Sequence, residues 1–127
     1  RTTTTPAGNH EAPFNLPLLA WAAGASFVAR WTILHIRELT ECIQKAILKN
    51  GFSFLEVLGP CPINYGRRNK EKPLQTLKLY QEQTIIRNHA DPSDLEIDFK
   101  KKVVLGEFVD KERSTCIENY DKTCRLI

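Results

Sequence analysis

Cys61 lies between two prolines in Gly59-Pro60-Cys61-Pro62, just past the apolar run Phe52 to Leu58. That run reads as a buried strand, and in open parallel α/β sheets ligands bind in the crevice outside the carboxyl ends of the strands. A thiol held there by a stiff turn is a candidate ligand or reactive group. The other cysteines, Cys42, Cys116 and Cys124, are not spaced as CxxC, so the chain holds no self-contained zinc or iron–sulfur pattern. Nothing else points to secretion, which weakens a disulfide reading. These three read as small buried hydrophobes or free thiols. His10, His35 and His89 are scattered without metal-ligand spacing, and His35 reads as a packing or capping residue. No catalytic residue is assigned.

Several charged groups have two readings each. Arg67, Arg68, Lys70 and Lys72 form a basic loop beside the Cys-Pro turn. They either steer an acidic partner through long-range attraction, or form a solvated surface or a contact to another subunit. Glu56 and Glu107 fall inside strand patterns, where a carboxylate needs a partner; Arg30 is a candidate. Whether their roles are structural or reach a cofactor stays open. Thr2 to Thr5 offer hydroxyls and amides to a phosphate, although an ordinary loop is the simpler reading.

The elements that must position these groups alternate. Asn15 caps a short helix, Leu16 to Ala23, with Pro17 in its first turn and Gly24 after its end. Ala25 to Trp31 is a short strand. Thr32 to Asn50 is a helix with Ile36, Leu39, Ile43, Ala46 and Ile47 on one face. Phe52 to Leu58 follows as a strand covered on both faces. The strand–helix–strand unit makes these two strands parallel, with a right-handed crossover. Ile63 to Lys72 is a basic loop, Leu74 to Tyr80 a helix, and Arg87 to Asp98 a polar surface arm broken by Pro92. Val103 to Val109 is a third strand, and Ser114 or Thr115 caps a last helix, Cys116 to Leu126. Trp21 and Trp31 read as core or interface aromatics.

The 127 residues are 42% apolar and 26% charged, an ordinary globular composition. A net charge of +3 is too small to imply nucleic acid. No apolar run approaches the about 20 residues of a membrane span, and the start lacks a signal-peptide core. The chain contains no Met and reads as a piece of a longer one. Three strands, open to an all-parallel arrangement, are too few for a covered parallel sheet and leave a long free edge. The expectation is a single incomplete domain over 1–127. Within it, 1–66 is a helix–strand–helix–strand core, 67–99 a basic loop and arm, and 100–127 a terminal strand and helix. The missing strands are expected upstream.

Four blocks in order carry a family resemblance: TTTTPAGNHEAPFNL, LAWAAGASFVAR, GFSFLEVLGPCPINYGRRN and VVLGEFVDKE. Together they resemble the C-terminal half of the β subunit of 2-oxoacid:ferredoxin oxidoreductases, with the 2-oxoglutarate branch nearest. The resemblance implies an α/β fold, the C-terminal part of a thiamine-diphosphate-binding, three-layer α/β/α domain with a mostly parallel sheet. It also implies thiamine diphosphate with Mg²⁺, held by a Gly-Asp-Gly…Asn segment that this chain lacks, and one 4Fe–4S cluster. The family's fourth cluster ligand comes from the Cys-Pro turn, which carries over onto Cys61 alone; the first three ligands are absent. The implied reaction is oxidative decarboxylation of a 2-oxoacid to an acyl-CoA, with electrons passed to ferredoxin. The implied partners are an α subunit, further small subunits, ferredoxin, coenzyme A and the 2-oxoacid, in the cytoplasm, without nucleic acid or membrane. Such a segment is not active alone. Two other readings stand beside it: a stand-alone α/β binding or interaction module, and a thiamine-dependent decarboxylase or synthase without ferredoxin.

Overall fold

In the computed structural model, which describes residues 1–98 and 100–125, the chain folds as a mixed α/β sandwich of three layers around a four-stranded sheet. Helix α1 (Leu16–Ala22) starts where Asn15 accepts from the Leu18 amide at 3.1 Å. It ends in a Schellman turn: the Gly24 amide reaches Trp21 O and the Ala25 amide reaches Ala20 O. Gly24 sits at φ +87, a conformation that a glycine adopts without strain.

Strand β1 (Phe27–Thr32) is buried along its whole length and forms the spine of the sheet. On one face Val28 packs with Ala20, Leu95 and Phe108. On the other, Phe27, Ala29 and Trp31 pack with Cys42, Val103 and Leu105. Helix α2 (Ile36–Leu48) covers this second face through Leu39, Cys42 and Ala46, which share one side at three- and four-residue spacing. The helix is shorter than expected at both ends, because Thr32 stays in β1 and its hydroxyl receives the Leu34 amide at 3.2 Å. His35 takes the N-cap position without making a side-chain cap. Its Nδ1 lies 2.8 Å from Thr32 Oγ1 and its ring packs at 5.6 Å from Trp31, so it is a packing residue. Of the expected apolar face, Ile36, Ile43 and Ile47 remain exposed, since the apolar arc is wider than the sheet beneath it.

Strand β2 (Ser53–Leu58) runs parallel to β1, as the crossover requires, with Arg30 opposite Glu56. It is only half-buried rather than covered on both faces, because it is the outermost strand in the order β2-β1-β4-β3. Strand β4 (Val103–Asp110) pairs antiparallel to β1, with a register shift between Val28 and Ala29, which corrects the all-parallel option. The sheet has a fourth member that the sequence reading missed. Strand β3 (Thr84–Ile86) lies parallel to β4 directly after helix α4 (Pro73–Glu82).

The stretch read as a basic loop is wound into consecutive helical turns, Pro62–Gly66 and α3 (Arg67–Asn69). The polar arm is exposed at most of its positions but is anchored to the core at two. Leu95 is 0% exposed and Asn15 Nδ2 donates to Pro92 O at 2.8 Å, so this segment closes the α1 side of the core. Helix α5 (Cys116–Cys124) begins with a capping box between Thr115 and Glu118; the expected end at Leu126 lies outside the described residues. Among the described residues no helix is long and apolar enough to cross a membrane.

Candidate functional site

The carboxyl ends of β1 and β2 lie side by side, tied by the Ile33 amide on Leu58 O at 3.1 Å. Gly59 passes so close to this tie that a Cβ there would stand 3.2 Å from Ile33 Cγ2. Pro60 then directs the chain outward, and Cys61 is extended, with φ −102. Pro62 starts a helical turn as its first residue, where its missing N–H costs no hydrogen bond. The turn closes with the Gly66 amide on Cys61 O at 2.9 Å and the Glu71 amide on Gly66 O at 2.8 Å. Gly66 is buried, and a Cβ there would meet Cys61 O at 3.4 Å and Glu71 O at 3.3 Å.

The N–H groups of Tyr65, then Asn64, then Ile63 hold the exposed Cys61 thiol below its ordinary pKa, because each stabilises the thiolate. Asn69 Nδ2 clamps the turn from α3, donating to Tyr65 O at 2.8 Å and to Arg1 O at 3.0 Å. Thr3 Oγ1 donates to Asn64 Oδ1 at 3.3 Å, so the threonine run braces this turn. The cysteine opens into a cavity of about 650 Å³ walled by Tyr65, Glu71, Thr76, Leu79 and Tyr80. Burial, followed by the charges of Tyr65 and Glu71, raises the Tyr80 hydroxyl above its ordinary value. These walls were not legible as site residues, although Pro62 and Pro73, each at the start of a helical turn, mark where they begin.

The other sequence candidates go elsewhere. Cys42 is buried between α2 and the sheet, where Trp31 Nε1 donates to its sulfur at 3.0 Å and its thiol donates to Glu107 Oε1 at 3.4 Å. Cys116 and Cys124 are exposed on α5, and all four thiols are free. Arg30 Nε donates to Glu56 Oε2 at 2.6 Å and Arg30 Nη1 to Leu95 O at 2.9 Å. Glu107 instead takes Lys45 Nζ at 2.7 and 2.9 Å. Neither carboxylate lines the cavity at Cys61. His10 is exposed, and the His89 amide continues the ladder on Glu107 O. Trp31 is core, whereas Trp21 is partly exposed beside His89.

Chemically, this arrangement offers one exposed thiol of lowered pKa on a closed turn. That suits a single thiolate ligand of an iron–sulfur cluster whose other three sulfurs come from outside these residues. Among the described residues no group of three or more His, Cys, Asp or Glu side chains could hold a metal ion.

Along 124 residues the chain is 42% identical to the 2-oxoglutarate synthase subunit KorB of Methanocaldococcus jannaschii, covering 96% of this chain and 45% of that protein. The chain belongs to the β-subunit family of the 2-oxoacid:ferredoxin oxidoreductases. The KorB subunit of Methanothermobacter marburgensis is also 42% identical, over 87% of this chain and 39% of its own length. The 2-oxoacid:ferredoxin oxidoreductase subunit beta of Saccharolobus solfataricus is 31% identical over 73% of this chain. The chain thus spans less than half the length of these curated relatives. No protein-family profile matches it. The fold agrees with the 2-oxoglutarate:ferredoxin oxidoreductase from Magnetococcus marinus, solved with 2-oxoglutarate, coenzyme A and succinyl-CoA bound. That match has a TM-score of 0.68 at 21% identity and covers 97% of this chain and 42% of the other.

Proposed function

We propose that this chain is the part of a β subunit that supplies one thiolate, from Cys61, to a 4Fe–4S cluster in a cytoplasmic 2-oxoacid:ferredoxin oxidoreductase. The intact enzyme converts a 2-oxoacid, coenzyme A and two oxidised ferredoxins to an acyl-CoA, CO₂, a proton and two reduced ferredoxins. 2-Oxoglutarate is the favoured substrate, since the KorB relatives bear that name. The observation that carries the reading is the exposed Cys61, fixed at the carboxyl edge of the sheet by the helical turn whose Gly66 amide closes on its carbonyl at 2.9 Å.

When bound, the cluster moves electrons one at a time. What this chain does toward that is positional. Gly59, Pro60 and Pro62 set the direction of the sulfur, and the Gly66 closure keeps the turn from unwinding. The amides of Ile63, Asn64 and Tyr65 stabilise negative charge on the sulfur and so favour the ligating form. Leu79 and Tyr80 wall the cavity onto which the sulfur opens. Thiamine diphosphate and its Mg²⁺ belong to the remainder of the subunit on this proposal. An α subunit completes the assembly, and no reaction step is assigned to this chain alone.

The test is Cys61→Ser in the intact complex, followed by EPR of the reduced enzyme. Loss of the 4Fe–4S signal, together with ferredoxin reduction, is expected. A full-strength signal in the variant rejects the ligand assignment.

A further inference from the structure

The cavity at Cys61 has a single acidic wall residue, Glu71. Its neighbours along the chain are the cations Lys70 and Lys72, yet neither of them walls the cavity. Among the described residues Glu71 forms no ion pair. The backbone accounts for its placement. Lys70 follows α3 in the left-handed region, at φ +57, a conformation that costs an L side chain free energy. The bend brings the Glu71 amide back onto Gly66 O at 2.8 Å, and the Gly66 amide is the one that closes on Cys61 O. Thr76, in the first turn of α4, places its Oγ1 3.4 Å from Glu71 Oε2 and walls the same cavity. Strained backbone beside a site is a pointer to function. The charge also acts across the cavity: after burial and Tyr65, it is Glu71 that raises the Tyr80 hydroxyl.

An iron–sulfur cluster gains one negative charge when it is reduced, and its potential follows the charge, hydrogen bonding and exposure around it. A carboxylate beside it opposes the incoming electron, whereas amide N–H groups favour it. We infer that Glu71 lowers the reduction potential of the cluster that Cys61 ligates, and so sets the driving force with which each electron leaves. The inference rests on the proposed function. In each step the reduced cluster gives one electron to one oxidised ferredoxin and returns to its oxidised state, and no bond is made or broken. Glu71 acts through space on the cluster, so it is a positioning residue and not a catalytic one. It is exposed, so water weakens its field and the effect is moderate.

The experiment is a redox titration of the intact complex, followed by EPR of the 4Fe–4S cluster. Wild type is compared with Glu71→Gln, Glu71→Asp and Lys72→Gln. In Glu71→Gln the midpoint is expected to rise, with about tenfold more reduced cluster at a fixed solution potential, which is about 59 mV for one electron. Glu71→Asp keeps the charge and stays near wild type. Lys72→Gln lowers the midpoint by much less than Glu71→Gln raises it, and the fully reduced signal keeps its size in all three. An unmoved midpoint in Glu71→Gln overturns the inference. So does a shift of equal size in Lys72→Gln, which marks a general surface-charge effect. Loss of the signal in Glu71→Gln overturns it too, because Glu71 then holds the turn together. If Cys61→Ser abolishes the signal in the same preparation, these failures leave the proposed function standing. A full signal in Cys61→Ser retires the proposed function, and the inference with it.

Discussion

At Cys42 and Cys61 the same thiol meets opposite surroundings. Burial strips water from Cys42, and although the Trp31 N–H favours the thiolate, desolvation and the nearby Glu107 carboxylate push its pKa up to about 11. Cys61 is exposed, and the backbone N–H groups of Tyr65, Asn64 and Ile63 pull its pKa down. In cluster-free subunit, iodoacetamide is therefore expected to label Cys61 at lower pH than it labels a free cysteine. The labelling rate drops as pH falls through the depressed pKa, since thiolate is lost in that direction. Cys42 stays unmodified, and loading the cluster protects Cys61; peptide mapping by mass spectrometry reads both. Equal labelling of the two thiols would refute the assigned surroundings. The Arg30 pair shows what residue types alone left open. Glu56 and Glu107 both lie in strands, but parallel register puts Arg30 opposite Glu56. In β4, Arg30 meets Gly106 and Ala29 meets Glu107, which turns Glu107 to the α2 face and Lys45. Arg30 is 0% exposed, so Glu56→Ala leaves a buried cation without its carboxylate and should cost about 3–5 kcal/mol. The denaturation midpoint of the intact subunit measures this, and Arg30→Met/Glu56→Leu should recover most of it. A Glu56→Ala midpoint equal to wild type would contradict the buried pair.

Strand β4 depends on one glycine at the element scale. Gly106 has φ +137, and a Cβ there would stand 2.6 Å from Asn88 Oδ1 and 2.9 Å from Arg87 O. Asn88 Oδ1 also receives the Glu107 amide at 3.1 Å, so the close approach holds the end of β3 against β4 next to the register shift. Gly106→Ala is expected to cost on the order of 1–3 kcal/mol in backbone strain, and more where Arg87 must move. A thermal midpoint within error of wild type would sink that account. Elements with several periods were legible: α1, β1, α2, β2, α4 and β4 all stand close to where their patterns put them. Elements held by tertiary contacts were not. Three residues of β3 carry no alternation to read. The Arg87–Asp98 stretch is polar overall, and its packing rests on buried Leu95 and Pro92 with Ala90 and Ile97 partly buried beside them. In the 62–69 stretch the cations masked a helical turn that Pro62 signals. Cys61 itself was legible because glycine and prolines mark a strand end, while its amides and cavity walls come from residues brought close by those turns.

For the whole molecule, the accessible surface is 9385 Å². A compact monomer of 14.5 kDa exposes about 6,900 Å². The excess is apolar where it can be located: Ile36, Ile43, Ile47 and Leu48 along α2, with Phe52 and Val57 beside the free edge of β2. Isolated exposed hydrophobics are ordinary, but several along one helix beside an unpaired parallel strand make a surface suited to burial. This weighs against a stand-alone module and favours the incomplete-domain expectation. The relatives supply a candidate cover, since this chain accounts for 45% of the Methanocaldococcus jannaschii protein. The prediction is that the rest of the subunit adds a strand to β2 and packs a helix or strand on the α2 band. Ile43→Lys/Ile47→Lys separates the alternatives. If the band is solvent-facing, two lysines on a helix surface change stability by no more than about 0.5 kcal/mol each. If it is covered, each buries an unpaired ammonium, and the intact subunit should melt several degrees lower or fail to assemble. Hydrogen exchange of the β2 amides in unmodified subunit reads the same question without a substitution. Protection of Ser53 to Leu58 comparable to β1 marks a paired edge, and exchange at the rate of an open edge strand would leave β2 as the border of the sheet.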